Sequence, residues 1–273
     1  DFTIHKNRRG HVGVFGGSMP YPHAPALSAE AALRTGAGLV TLALPQSCEM
    51  FCTLPKALIV RRLADGGSGC CNAFALPQLT EMCRNFQALV CGPGLGQAEE
   101  SLVVLQALLA TGLPLVLDAD GLNLLASHPE CLPAQPAALI LTPHPGEMAR
   151  LQNGFGLEAT GNRLEQALAL ARRTGCVVVL KGCRSVVAAP DGQAHLNLSG
   201  CPALATAGSG DVLAGICGAF LAQGRDAYQS AALAVFLHGL TGEILRPTGS
   251  RGIIADDLPD ALPKAWSALG ANL

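Results

Sequence analysis

The chain has 273 residues, of which 49% are hydrophobic and only 14% charged. This is enough apolar side chain for a large core, and it excludes a disordered chain. The formal net charge is −2, so no basic excess exists to hold a phosphate backbone, and nucleic acid is not an expected partner. The 11 cysteines are odd in number and contain no C-x-x-C spacing. Several, such as Cys91, Cys176 and Cys217, lie inside apolar runs, so they read as reduced small hydrophobes rather than a disulfide framework or a zinc site. No apolar run reaches the roughly 18–20 residues that span a bilayer. The charged, polar stretch Asp1–Gly10 is not a signal peptide, and a cytoplasmic, membrane-free protein is the expectation. The missing initiator Met suggests a processed chain or one excised from something longer.

In chain order, Val12–Phe15 reads as a strand with Gly16-Gly17-Ser18 as the turn after it. Pro25–Thr35 reads as a helix with Glu30 and Arg34 paired at i,i+4, ended by Gly36 and Gly38. Leu39–Leu44, Ala57–Arg61, Ala88–Cys91, Leu115–Leu117 and Ala138–Leu141 read as further strands, with helical stretches at Phe74–Arg84 and Glu99–Ala110 between some of them. A short helix follows at Gly121–Ala126 and another at Arg163–Arg173. Strands Val177–Leu180, Ser185–Ala189 and Ala194–Leu198 come next, and Asp191-Gly192 predicts a hairpin between the last two. Helices near Gly210–Ala222, Ala227–Leu245 and Asp256–Ala268 finish the chain. Alternation of this kind predicts one α/β domain over residues 1–273, a mostly parallel central sheet covered on both faces and an antiparallel edge.

The strongest local signal is Ala205-Thr206-Ala207-Gly208-Ser209-Gly210-Asp211 ahead of an apolar helix. Glycines at a helix start leave backbone N–H groups and the positive dipole end facing an anion such as phosphate. Asp211 in the first turn is then placed as a general base for a substrate hydroxyl. The bland alternative is that Ser209 caps the helix and Asp211 complements its dipole. Gly92-Pro93-Gly94-Leu95-Gly96 permits close backbone approach to a ligand or is simply a tight turn. Asp118-Ala119-Asp120 ends a strand, at the edge where ligands of open α/β sheets bind; Asp118 is a candidate for magnesium or substrate, Asp120 for starting the next helix. In Thr142-Pro143-His144-Pro145-Gly146-Glu147, prolines fix the imidazole on a rigid loop and Glu147 is a candidate for Mg²⁺, directly or through water. Lys181 ends an apolar strand and either reaches a nucleotide phosphate or is a solvated strand end. His238, inside an apolar helix, reads as structural.

Taken together and in this order, these segments resemble the NAD(P)H-hydrate dehydratases, relatives of the carbohydrate kinases. The resemblance includes Gly16-Gly17-Ser18, Ala29–Val40 and Leu237-His238-Gly239, and it runs from about Lys6 to Trp266. It implies a ribokinase-like three-layer α/β/α fold and a purine-nucleotide-dependent lyase. ADP or ATP would phosphorylate the C6 hydroxyl of hydrated NADH or NADPH (the S epimer), and phosphate would leave to restore the C5–C6 double bond. The resemblance implies that Ala24, Gly94, His144 and Asp211 touch the hydrate, and that Lys181, Gly182, Cys183, Arg184, Ser185 and Gly210 touch the nucleotide. It further implies Asp211 as base, the amides from Ala207 through Gly208, Ser209 and Gly210 as the phosphate hole, Mg²⁺ near Glu147, a homotetramer, and in many bacteria a preceding epimerase domain. Three segments depart from the family pattern: His23 for a glycine, Cys183-Arg184-Ser185 for Ala-Gly-Thr, and Cys201-Pro202-Ala203 for Asn-Pro-Gly. Two other functions compete. A kinase for a small alcohol would share Asp211 but release a stable phosphate ester; a non-catalytic nucleotide-binding module would not need the carboxylate.

Overall fold

The computed structural model describes residues 6–158, 161–246 and 251–270. Its sheet has the strand order β3-β2-β1-β4-β5-β6-β7-β8-β9. The strands are β1 (His11–Phe15), β2 (Leu39–Pro45), β3 (Ile59–Leu63), β4 (Ala88–Cys91), β5 (Leu115–Leu117), β6 (Leu139–Leu141), β7 (Val177–Leu180), β8 (Val186–Ala188) and β9 (Ala194–Leu196). Every pairing from β3 across to β7 is parallel, and β7-β8-β9 is antiparallel. The expected hairpin is present, with Gly192 in the left-handed region at φ 96°.

The period-two alternation of the buried strands sorts their side chains onto two faces. Val12, Val14, Val90, Val116, Ile140 and Val179 enter one apolar cluster together with α1 (Ala24–Arg34), α7 (Ser209–Ala222), α8 (Ala227–Leu245) and α9 (Asp257–Ala268). Phe15, Leu89, Cys91, Leu117, Leu141 and Leu180 enter the other, with α2 (Leu76–Cys83), α3 (Glu99–Ala110), α4 (Ala119–Ser127), α5 (Pro145–Gly154) and α6 (Arg163–Thr174). This is the expected three-layer arrangement. All 11 cysteines are free, and Cys91, Cys176 and Cys217 are buried. Among the described residues no helix is long and apolar enough to cross a membrane.

Three elements differ from the sequence reading. The strand expected at Ala57–Arg61 runs instead over Ile59–Leu63, because the Leu58 N–H bonds back to the Pro55 carbonyl in a turn. The Phe74–Arg84 helix divides into a 3₁₀ turn at Ala73–Ala75 and α2. Helix α5 was not expected. Pro145 stands in its first turn, where a missing N–H costs nothing. The Glu30–Arg34 pair forms at 3.7 Å, and Arg34 also reaches Asp260 at 2.6 Å.

Strand order reverses direction between β1 and β4, and crevices at such a switch point take ligands. The loops after these two strands meet there: the Gly17 N–H donates to the Pro93 carbonyl at 2.9 Å, and a Cβ on Gly16 would run into that same carbonyl.

Candidate active site

The residues singled out in the sequence converge on the C-terminal edge of the parallel strands. Gly94 adopts φ 61°, and a Cβ placed on it would stand 2.9 Å from Tyr21 Cβ and 3.2 Å from Ala24 Cβ, so the structure brings Gly94 and Ala24 together. Gly92, at φ 122°, packs against the Asp118 carbonyl with no room for a side chain. Asp120 ties the same loop down, accepting from the Gly96 N–H at 2.9 Å and from Gln97 at 2.8 Å. His23, the departure beside Ala24, accepts the Phe51 N–H at 3.0 Å and so anchors a neighbouring segment.

A buried charged cluster lies beneath these loops. The Lys181 ammonium reaches Asp118 Oδ1 at 2.6 Å and stands 3.7 Å from Glu147 Oε2. Thr142 donates to the same Asp118 oxygen at 2.8 Å. Asp118 is 1% exposed and Glu147 5%. Lys181 is thus aimed into the sheet edge at Asp118 and does not extend with the exposed Gly182–Arg184 loop. A Cβ on Gly210 would lie 3.0 Å from Lys181 Nζ and 3.5 Å from Asp118 Oδ2, so this ion pair sits directly under the anion loop.

Helix α7 begins after Gly208, whose φ of 87° turns the chain into the helix. Ser209 is not a cap. It lies inside the helix, and its hydroxyl pairs with His238 Nε2 at 3.1 Å. Its N–H bonds back to the Thr206 carbonyl at 3.3 Å, while the Gly210 and Asp211 N–H groups, in the first turn, have no intrahelical acceptor. His238 therefore touches the anion loop, where the sequence read it as structural only. Burial lowers its pKa to about 4 and keeps the imidazole neutral.

Three carboxylates share one ammonium here. Burial, then the Asp118 charge, push the Asp211 carboxyl up to about 8, with Lys181 opposing. Burial also raises Glu147, again against Lys181. Burial alone would depress the Lys181 ammonium, but Asp118 and Glu147 hold it above its ordinary value. A carboxyl that titrates near the working pH is matched to proton transfer.

The same shift has a consequence for stability. An acid whose pKa is raised in the folded state binds a proton there that the unfolded chain has already lost, so its contribution falls as pH rises from about 4 to about 8. Asp211→Asn is expected to raise the melting temperature at pH 8 relative to the parent, with the gain vanishing toward pH 4. Equal shifts at both pH values would contradict the raised carboxyl.

His144 caps α5: its Nδ1 accepts the Gly146 N–H at 2.9 Å, and its own N–H donates to Glu147 Oε2 at 2.7 Å. Glu147 Oε1 lies 3.4 Å from His144 Nε2. The capping box occupies Oε2 and leaves Oε1 outside it. Among the described residues no three His, Cys, Asp or Glu side chains converge to hold a metal ion.

Comparison with known proteins bears on the family and the fold. A family profile described as NAD(P)H-hydrate dehydratase matches residues 12–264. The bifunctional NAD(P)H-hydrate repair enzyme Nnr of Moorella thermoacetica is 40% identical over 262 residues, 95% of this chain and 49% of that protein. The chain thus spans about half the length of such relatives. The ADP-dependent (S)-NAD(P)H-hydrate dehydratase of Xanthomonas campestris pv. campestris is 35% identical, over 94% of this chain and 88% of that one. The ADP/ATP-dependent NAD(P)H-hydrate dehydratase from Bacillus subtilis, co-crystallised with ATP/Mg²⁺, superposes with a TM-score of 0.83 at 28% identity, over 98% of this chain and 92% of that one.

Proposed function

This chain belongs to the NAD(P)H-hydrate dehydratase family, and from that premise we propose that it returns hydrated NADH or NADPH to the reduced cofactor at the expense of a purine nucleotide. The observation that carries the mechanism is Asp211: a partly buried carboxyl with a pKa raised to about 8, in the first turn of α7 beside the anion loop. The hydrate lies over Ala24, Gly94 and His144. Its C6 hydroxyl gives its proton to Asp211 as the oxygen attacks the terminal phosphorus of the nucleotide. The bond from that phosphorus to the nucleotide's bridging oxygen breaks, and the Gly208–Ser209–Gly210 loop receives the transferred group through the free N–H groups of Gly210 and Asp211. The C6–O bond then breaks, inorganic phosphate leaves, and loss of a C5 proton to solvent restores the double bond. Phosphorylation is needed because hydroxide is a poor leaving group.

The nucleotide lies along Lys181, Gly182, Cys183, Arg184 and Ser185. ADP is the favoured donor, giving AMP, since relatives of nearly the same length are named ADP-dependent. Mg²⁺ would be held near Glu147, directly or through water, where it would neutralise charge on the nucleotide phosphates. Among the described residues one sheet carries every strand, which supports a single domain. A cytoplasmic homotetramer remains the reading for assembly and location. The exposed Leu196, Leu198, Leu233 and Phe236 supply apolar surface for contacts between copies.

The test is to incubate the protein with hydrated NADH, magnesium and either ADP or ATP, and to follow the absorbance of reduced nicotinamide. A rise that requires nucleotide is expected and identifies the donor. No rise beside an active control enzyme would overturn the proposal in favour of the small-alcohol kinase.

A further inference from the structure

Arg163 opens α6, a position that a cation occupies against the helix dipole. The helix does not need it there. Asn162 caps α6, and Glu165 completes the capping box. The guanidinium turns away to the loop after β7, donating from Nη1 to the carbonyls of Cys183 at 2.6 Å and Arg184 at 3.3 Å. From Nη2 it donates to those of Leu180 at 2.9 Å and Lys181 at 3.1 Å.

The loop is shaped around this side chain. A Cβ on Gly182, which sits at φ 148°, would stand 2.9 Å from Arg163 Nη2. Arg184 sits at φ 55°, in a left-handed conformation that a residue with a side chain adopts at a cost. Such a loop keeps its shape only when its surroundings over-determine it, and the planar fork of Arg163, bonded to four carbonyl oxygens, does so in a way that the single point charge of lysine cannot.

We propose that Arg163 is the positioning residue of the nucleotide loop: it fixes the peptide planes of residues 180–185 in the one conformation that receives the adenine nucleotide. This rests on the assignment of that loop to the nucleotide. If losing the clamp lowers the receptive population to about a tenth, the apparent Kd rises about tenfold. Turnover at saturating nucleotide stays near the parental value, because Asp211 and the anion loop are untouched.

The experiment measures ADP and ATP binding by calorimetry, and steady-state KM and kcat, for the parent, Arg163→Met, Arg163→Lys and Arg163→Gly, the last with and without millimolar guanidinium ion. A Kd and nucleotide KM raised about tenfold or more in Met and Lys, with kcat held and with guanidinium restoring binding to the Gly variant, is the expected result. A purely structural role would lower the melting temperature and kcat without moving KM. Should Arg163→Met fail to fold, Arg163→Lys and the guanidinium rescue decide. Parental nucleotide affinity in the Lys variant, or no rescue in the Gly variant, overturns the inference while leaving the proposed reaction standing. Failure of the parent to bind either nucleotide overturns both.

Discussion

Asp211→Asn lowers kcat by roughly 10²–10⁴-fold, the usual contribution of a positioned general base, while nucleotide binding persists. The amide keeps the shape of the carboxyl but cannot take the hydroxyl proton. The fold around it survives, because the contact from Asp211 to the neighbouring helix uses its backbone: Ser28 Oγ donates to the Asp211 carbonyl at 2.7 Å. The parent enzyme's kcat/KM rises with pH on an acid limb near the Asp211 value of about 8, set by burial and the Asp118 charge. The residual activity of the Asn variant lacks that limb. Stopped-flow turnover from pH 6 to 9 checks both, and unimpaired turnover in the variant would remove Asp211 from the mechanism.

Lys181→Met has the largest expected effect on stability. It leaves Asp118, 1% exposed, as a buried charge supported by the Thr142 hydroxyl, with Glu147 beside it. Breaking one partner of a buried pair costs about 3–5 kcal/mol, which for a chain of this size lowers the melting temperature by on the order of 10 °C. The double change Asp118→Asn with Lys181→Met should recover part of that loss, because the stranded charge is gone. Calorimetric melts of the single and double variants give the coupling directly. A single variant as stable as the parent would mean that the ammonium contributes nothing to holding Asp118.

The loops that carry the site were legible because glycine, proline and acidic residues at the ends of apolar runs are local signals. Gly92–Gly96, Asp118, Thr142–Glu147 and Ala207–Asp211 lie at one edge for the reason the pattern suggested: parallel strands present their C-terminal ends together. Other features were not legible. Lys181 was read either as reaching a phosphate or as a solvated strand end, and nothing local pointed to its partner Asp118, 63 positions away in sequence. His238 gave no sign of facing Ser209, although it sits in the Leu237-His238-Gly239 run already noted. Arg163 left no trace, because its acceptors are carbonyl groups that every residue carries. Helix α5 was hidden by prolines that usually end helices but here stand at its start.

Legible from the sequence were the strands, the helices other than α5, the two-faced core and the glycine loops, since these follow from hydrophobic period and backbone freedom. Which charges meet, and the raised pKa of Asp211, depend on long-range packing. Asp118, Glu147, Lys181 and Asp211 come from the ends of β5 and β7 and the first turns of α5 and α7. The Asp211 carboxyl becomes a base poised near neutral pH because folding removes it from water and sets it beside Asp118, an energy that exists only once those distant segments are packed together.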